Sequence, residues 1–377
     1  MNQRSLSILH LVLEPRFSGA EILVCDLVRI HQSQGHQTSI AAFRPSHLEF
    51  APELRRLENL GCRTQIPSQN LVRWRRVQWV LAAVKRFQPD VVFAHSILPG
   101  LYARIALSCS RRPSVVTVLH SDDDLRNPRL LRLEQLLWWR NACVVGVSRK
   151  SVENYRNRVT SKARCRVISN GISPERFAGH LDRSREVRTR LYGASDDVII
   201  ALQVGRICLQ KQQLASVQAL AVLSRRGIRN LRIVMAGPIE DRDYAARLID
   251  LAREAGVLDQ IQLVGSQANV EEWLAGADLF LMPSGWEAHS VAALEGMASG
   301  LPCVFSGIDA FEAWRGWPGV FMIEAPPVAE ELATCLESLL RNQGWSHRYK
   351  RDLSKFSIAR CAAEYLELAR KLAPSGL

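Results

Sequence analysis

Short apolar runs rich in Val, Ile and Leu alternate along this chain with longer stretches whose apolar positions return every three or four residues. The first half predicts strands at 7–13, 38–43, 90–94, 115–120, 142–147 and 166–168, with amphipathic stretches between most of them. That order implies a parallel, doubly wound sheet. The pattern restarts after Ser195, with strands predicted at 198–204, 231–236, 260–264, 278–282, 302–306 and near 320–323. A second α/β domain therefore follows the first. Residues 170–190, between the restarts, carry Gly, Pro and dense charge and read as a linker. The expected domains are 1–187 and 188–355. The last amphipathic stretch, 358–372, is a helix with no strand after it.

With 377 residues, 47% of them apolar, the chain is long enough for two separate cores. No apolar run reaches the ~18–20 residues of a membrane span. The first run contains His10 and closes on Glu14-Pro15, which fits a buried strand better than a signal peptide, so a cytoplasmic protein is expected. Nine cysteines form no C-x-x-C pair and leave an odd one over, against a disulfide framework or a structural zinc site. The net charge of +12 is unevenly placed: residues 1–187 hold 29 Lys+Arg against 15 Asp+Glu, and residues 188–377 hold 20 against 22. Such asymmetry points to a surface that meets polyanions, either nucleic acid or anionic lipid. Arg73-Trp74-Arg75-Arg76 and the set Arg126, Arg129, Arg132, Trp138, Trp139 and Arg140 interleave cations with aromatics on two predicted helices. That pattern suits the headgroups of an anionic membrane surface, although Trp at helical spacing is also a core pattern. Nucleic acid is not an expected partner, because no recognised nucleic-acid motif accompanies the charge.

The most informative stretch runs from Pro283-Ser284-Gly285-Trp286-Glu287-Ala288-His289-Ser290 through a series of helix formers to Gly300-Leu301-Pro302. Two glutamates around a helix can simply form a solvated face. The same placement also sets Glu287, with Ala288, His289 and Ser290, at the free amides of a helix N-terminus. Glu295 follows about 8–12 Å along by helical rise, where it can meet a different part of an extended ligand. Gly205-Arg206-Ile207-Cys208-Leu209-Gln210-Lys211 sits between a predicted strand and helix, so Arg206 and Lys211 are either two surface cations on a loop or a cationic cradle for a diphosphate at the carboxyl edge of a parallel sheet. Ser18-Gly19-Ala20-Glu21 opens a helix after the first strand, where Gly19 is available for a close backbone approach or a positive φ. His120 ends another strand, and Asn170-Gly171 supplies a turn signal. The run Asp122-Asp123-Asp124 reads as a solvated loop.

In this order the segments resemble glycosyltransferase family four (group 1), a large retaining family whose E-x7-E motif reads P-S-x-x-E-G-x-G-x-x-x-x-E-A-M-A-x-G-x-P. The match covers the Pro-Ser, both Glu, the Met-Ala, the Gly and the Pro. Residues 205–211 resemble the family's G-R-x-x-x-x-K, with Gln210 and Gln212 standing where an acid and a Gly are usual. Residues 18–21 resemble Gly-Gly-x-E with Ser18 for the first Gly, 118–122 resemble T-x-H-D with Ser121 displacing the Asp, and 170–177 resemble N-G-[VI]-D-x-x-x-F.

The resemblance implies the GT-B architecture, an α/β fold of two Rossmann-like domains facing across a cleft, with a C-terminal helix at about 356–377 crossing back to the first domain. It implies a retaining, metal-independent transfer of a hexose-type sugar from a UDP- or GDP-sugar to a lipid-linked or membrane-anchored glycan. The expected setting is bacterial cell-envelope polysaccharide or lipopolysaccharide synthesis, with the protein peripheral on the inner face of the cytoplasmic membrane. His120 is expected near the reacting sugar, and Arg206 and Lys211 on the diphosphate. Glu287, with Ala288, His289 and Ser290, would hold the donor hexose, Glu295 the ribose, and backbone at Gly19 would approach the phosphates. No cofactor and no metal are expected, because fixed cations and amides meet the leaving-group charge. The alternative is a catalytically degenerate GT-B scaffold acting as a binding or regulatory protein.

Overall fold

The computed structural model describes residues 4–110, 112–121, 123–178, 184–193 and 197–373. The chain forms two compact units, Met1–Gly171 with Phe356–Leu377, and Ile172–Lys355.

In the first unit seven parallel strands, β1 (Ser7–Val12), β2 (Gln37–Ala42), β3 (Arg63–Gln65), β4 (Val91–His95), β5 (Ser114–Leu119), β6 (Cys143–Gly146) and β7 (Cys165–Val167), lie in the order β3-β2-β1-β4-β5-β6-β7. Successive side chains of a strand point to opposite faces, so each strand feeds two cores. Leu9, Leu11, Val92 and Ala94 pack with the helices Arg73–Phe87 and Ile97–Ala106. Ile8, Val91, Phe93, Val116 and Val118 pack instead with Gly19–Ser33 and Ile358–Leu372. The terminal helix is fastened by His31, whose Nε2 lies 2.9 Å from the Ala362 carbonyl, and by Tyr365, edge-on to Phe93. The strand β3 was not among the expected elements. Its Arg-Thr-Gln sequence carries no apolar run, because an edge strand of three residues buries little side chain.

The second unit holds β8 (Ile199–Val204), β9 (Leu231–Ala236), β10 (Ile261–Gly265), β11 (Leu279–Met282), β12 (Cys303–Ser306) and β13 (Val320–Ile323), all parallel, in the order β10-β9-β8-β11-β12-β13. Strand order reverses between β8 and β11, and in the first unit between β1 and β4. Such switch points part the loops at the carboxyl ends of the strands and leave a crevice for a ligand. The expected boundary at 187/188 falls inside the helix Ser184–Tyr192, whereas the units divide at Gly171/Ile172. That helix belongs to the second unit because Arg188 donates to Asp278 at 2.7 Å and the Tyr192 hydroxyl donates to the Trp273 carbonyl at 2.5 Å. Residues 179–183 of the expected linker lie outside the described residues. Gly171 has a role other than the turn its sequence suggested: a Cβ there would stand 2.6 Å from the Ile358 Cα, so Gly lets this segment meet the start of the terminal helix.

Candidate active site

The loop after β8 and the loop after β11 emerge side by side, because their strands pair in register at Leu279–Ala201 and Phe280–Leu202. The first carries Arg206 and Lys211, and the second carries Glu287, Ala288, His289 and Ser290. Gln210 ties the loops together: its side-chain amide donates to the Trp286 carbonyl at 2.9 Å, and its own carbonyl accepts from the Gly285 amide at 2.9 Å. The departure from the usual acid thus supplies a bridge. Gln212 takes the left-handed conformation, φ 54° and ψ 37°, immediately before the helix Gln213–Arg225. A non-glycine residue there costs roughly 1–2 kcal/mol of local strain. The loop keeps the shape a glycine would allow.

Lys211 Nζ donates to Glu287 Oε1 at 2.5 Å, with only 11% and 9% of the two side chains exposed. Its stem lies along Gly205, where a Cβ would approach Lys211 Cε to 2.8 Å. Arg206 donates to both carboxylate oxygens of Glu240 at 2.6 Å and to Gln210 Oε1 at 2.8 Å. Burial opposes the guanidinium charge, but the Glu240 hydrogen bonds hold the pKa of Arg206 above its ordinary value. A Cβ on Gly237 would meet the Gly205 carbonyl oxygen at 2.0 Å, so the loop after β9 lies directly on the backbone that carries Arg206. Glu240 and this packing role of Gly237 were missed in the sequence. The Ala236-Gly237-Pro238 turn was a visible but weak signal; nothing marked Glu240.

The helix Val291–Ala298 begins at Ser290, whose hydroxyl caps it by accepting from the Ala293 amide at 3.3 Å. It ends before Gly300, at the Gly-x-Pro of the sequence, and Gly300 takes the left-handed conformation at φ +76°. Glu295 lies in its second turn and is buried. Burial lowers the pKa of His289 to about 4, so its ring is neutral at neutral pH. The loop 285–289 is partly exposed, and its carboxylate, imidazole and neighbouring amides can hydrogen-bond the hydroxyls of a polar ligand.

In the first unit, Gly19 is the exposed first residue of the helix Gly19–Ser33 and does not take a positive φ. Ser18, in place of the family's first Gly, turns its hydroxyl onto the Glu21 carboxylate, whose pKa burial raises. His120 follows β5 directly and is partly exposed; its Nε2 lies 2.9 Å from His95 Nδ1. Burial lowers its pKa to about 4. Of the Asp122-Asp123-Asp124 run, Asp122 lies outside the described residues. The structure thus brings Arg206, Lys211, Glu287 and the loop to Ser290 to one switch point of the second unit, and in the first sets His120 at the end of β5 and Gly19 at the start of the helix that follows β1.

Residues 17–176 match the family described as Glycosyltransferase Family 4, and residues 186–355 match Glycosyl transferases group 1. An uncharacterised glycosyltransferase of Methanocaldococcus jannaschii is 30% identical over 233 residues, 58% of this chain and 58% of that protein. The lipopolysaccharide glucosyltransferase WaaG of Escherichia coli is 27% identical over 173 residues, 46% of this chain and 45% of that protein. The matches span about half of these curated relatives' length. Among solved structures, Anabaena HepE, crystallised with UDP and glucose, superposes with a TM-score of 0.81 at 17% identity, covering 97% of this chain and 100% of that one. A glycosyltransferase of Rickettsia africae gives 0.79 at 17% identity, covering 99% and 100%. Likeness at that identity shows the shared GT-B fold. With both family signatures laid in tandem over the two sheets that carry the motifs, the chain belongs to the family 4, group 1, glycosyltransferases.

Proposed function

We propose that the protein transfers a hexose-type sugar, with retention of configuration, from a UDP- or GDP-sugar to a lipid-linked or membrane-anchored glycan of the bacterial cell envelope. The observation that carries this reading is the pair of cations, Arg206 and Lys211, held by carboxylates at the switch point between β8 and β11. Departure of a nucleoside diphosphate builds negative charge on its β-phosphate, and preplaced cations stabilise that charge without reorganising. Glu287, Ala288, His289 and Ser290 hold the donor hexose and Glu295 the ribose hydroxyls, while His120 hydrogen-bonds the transferred sugar. The acceptor hydroxyl attacks the face the diphosphate leaves, and a phosphate oxygen takes its proton. The names of relatives support the substrate class: E. coli WaaG is a lipopolysaccharide glucosyltransferase, another E. coli relative is a UDP-Gal-dependent galactosyltransferase acting on a diphosphoundecaprenol-linked sugar, and HepE was solved with UDP-glucose. A panel of radiolabelled nucleotide sugars offered with a bacterial lipid extract tests the reading. Transfer with release of nucleoside diphosphate supports it; donor binding without release in every combination would favour the degenerate, regulatory scaffold.

The reaction requires no cofactor and no metal in this reading, because Arg206 and Lys211 occupy the electrostatic role a divalent ion would fill. Exhaustive chelation is therefore expected to leave the transfer rate unchanged. A strict requirement for magnesium or manganese, restored on readdition, would contradict it.

The membrane part of the proposal rests on one layer of helices. Ile97–Ala106 packs between Arg73–Phe87 and Pro128–Leu137, and the layer exposes Trp74, Leu81, Leu133 and Leu136, with Trp139 just beyond it. Arg73, Arg75, Arg129 and Arg132 are exposed there too. Arg76 differs from the expected surface cation: it stacks on Tyr102 at 5.3 Å and Phe43 at 5.7 Å, so its charge sits over the core. No helix among the described residues is long and apolar enough to cross a membrane. The proposed attachment is peripheral, on the cytoplasmic face. Each cation near an anionic leaflet contributes about 1 kcal/mol before salt screening, so Arg73→Glu with Arg75→Glu and Arg132→Glu is expected to weaken binding to phosphatidylglycerol vesicles by at least ~10-fold. Sedimentation with anionic and neutral vesicles measures it. Equal binding to both would assign these helices to a protein or soluble-glycan contact.

A further inference from the structure

Three histidines form a staircase across the first sheet. His10 on β1 pairs in register with Phe93, two residues before His95 at the end of β4; His95 pairs with Val118, two residues before His120. Each imidazole therefore meets the next one diagonally, one strand over and one step nearer the carboxyl edge. His10 Nδ1 lies 3.0 Å from His95 Nε2, and His95 Nδ1 lies 2.9 Å from His120 Nε2, with the rings stacked at 5.3 and 5.1 Å. The nitrogens pair with one another and do not converge on a common point. His10 and His95 are buried, and burial holds His10 to about 3 and His95 well below the ordinary histidine range, with His31 acting the same way on His10, and His120 and His10 on His95. All three rings are neutral at neutral pH.

A chain of neutral imidazoles has only two complete proton arrangements. Each contact needs one N–H and one lone pair, so either every ring carries its proton on Nδ1 or every ring carries it on Nε2. The far end distinguishes them. His10 Nε2 is buried with no hydrogen-bond partner among the described residues. In the Nε2–H arrangement that atom is a buried, unpaired donor; in the Nδ1–H arrangement it is a bare lone pair. Orphaned buried N–H groups are the rarer of the two in folded proteins, because desolvating an unmet donor is a direct loss.

We infer that His10 and His95 are positioning residues that fix His120 as the Nδ1–H tautomer, so that His120 presents a hydrogen-bond donor, not a base, to the oxygen of a bound sugar or phosphate. The role of that donor rests on the transferase reading above; the tautomer does not. His95→Gln is the informative variant, since an amide offers a donor or an acceptor to His120 with equal ease and uncouples it from His10.

Long-range proton–nitrogen correlation spectra of the full chain, labelled with 15N-histidine and free of substrate, read the tautomer directly. Wild type is expected to show His120 protonated on Nδ1, and His95→Gln is expected to shift it to Nε2–H or to a mixture. In transfer assays the same variant should lose about 10-fold in kcat, as one lost hydrogen bond implies, with donor KM little changed. His120 protonated on Nε2 in the wild type overturns the inference, as does an Nδ1–H tautomer that survives His95→Gln. If no nucleotide sugar is turned over, the functional reading fails while the spectra still decide the tautomer.

Discussion

Replacing Lys211 by Ala is expected to lower kcat for sugar transfer by about 100-fold, the loss seen when one preorganised group facing a developing oxyanion is removed. Two features of the site make the effect large. Lys211 is almost wholly buried and its stem is confined against Gly205, so its ammonium is held in place before the charge develops. Its loss also leaves the Glu287 carboxylate, 9% exposed, without the ammonium that donates to it, and an unpaired carboxylate there repels the diphosphate that the site must receive. The double change Lys211→Ala with Glu287→Gln should therefore recover part of donor affinity but little of kcat. Steady-state kinetics of the purified variants, with circular dichroism to establish folding, measure both. An unchanged kcat in a folded Lys211→Ala protein would remove Lys211 from the leaving-group role.

The second large effect is on stability. Glu134→Ala is expected to destabilise the first unit by about 3–5 kcal/mol, because it strands a buried guanidinium. Arg104 and Glu134 are fully buried and joined at two points, one at 2.9 Å through Nη1 and Oε1. Oε1 also accepts from the Tyr155 hydroxyl at 2.5 Å and from Asn141 Nδ2 at 3.4 Å. Burial, reinforced by Glu134, pushes the Tyr155 phenol up, so it remains a donor at any ordinary pH. Without the carboxylate, Arg104 keeps, among the described residues, only the carbonyls of Gly100 and Leu137. Replacing both charges, as Arg104→Met with Glu134→Leu, should restore most of the loss, since two apolar side chains need no partner. Hydrogen exchange of β4–β6 peptides across a urea series reads the first unit separately, which matters because a chain of two units need not unfold as one. A Glu134→Ala protein with wild-type protection would show that the pair is dispensable.

The pattern of apolar runs was enough to read twelve of the thirteen strands among the described residues, a parallel sheet in each half, and the terminal helix. It worked because strands buried on both faces must be apolar at nearly every position, which leaves a signal in the local sequence. The edge strand β3 escaped for the opposite reason. The positions of Arg206, Lys211 and Glu287 on strand-to-helix connections, and of Glu295 within the helix that follows, were also legible, since each depends on local spacing.

What pairs with those residues was decided elsewhere in the chain. Glu240 reaches Arg206 only because β9 lies beside β8, and Glu287 reaches Lys211 only because β11 lies on its other side. The histidine staircase depends on the registers of β1, β4 and β5, none of which is written in any one strand. The same holds for Arg76, whose inward turn requires Tyr102 from another helix, and for the unit boundary, which the grip of Arg188 on Asp278 places before the helix Ser184–Tyr192. Sequence by itself thus determined all but the edge element β3, the α/β class of each half and which side chains are offered on the loops after the strands, because those follow from local periodicity and turn chemistry. Tertiary structure alone decided which charges meet, which cations face inward and which tautomer a histidine is held in, because each depends on distances between strands far apart in the chain.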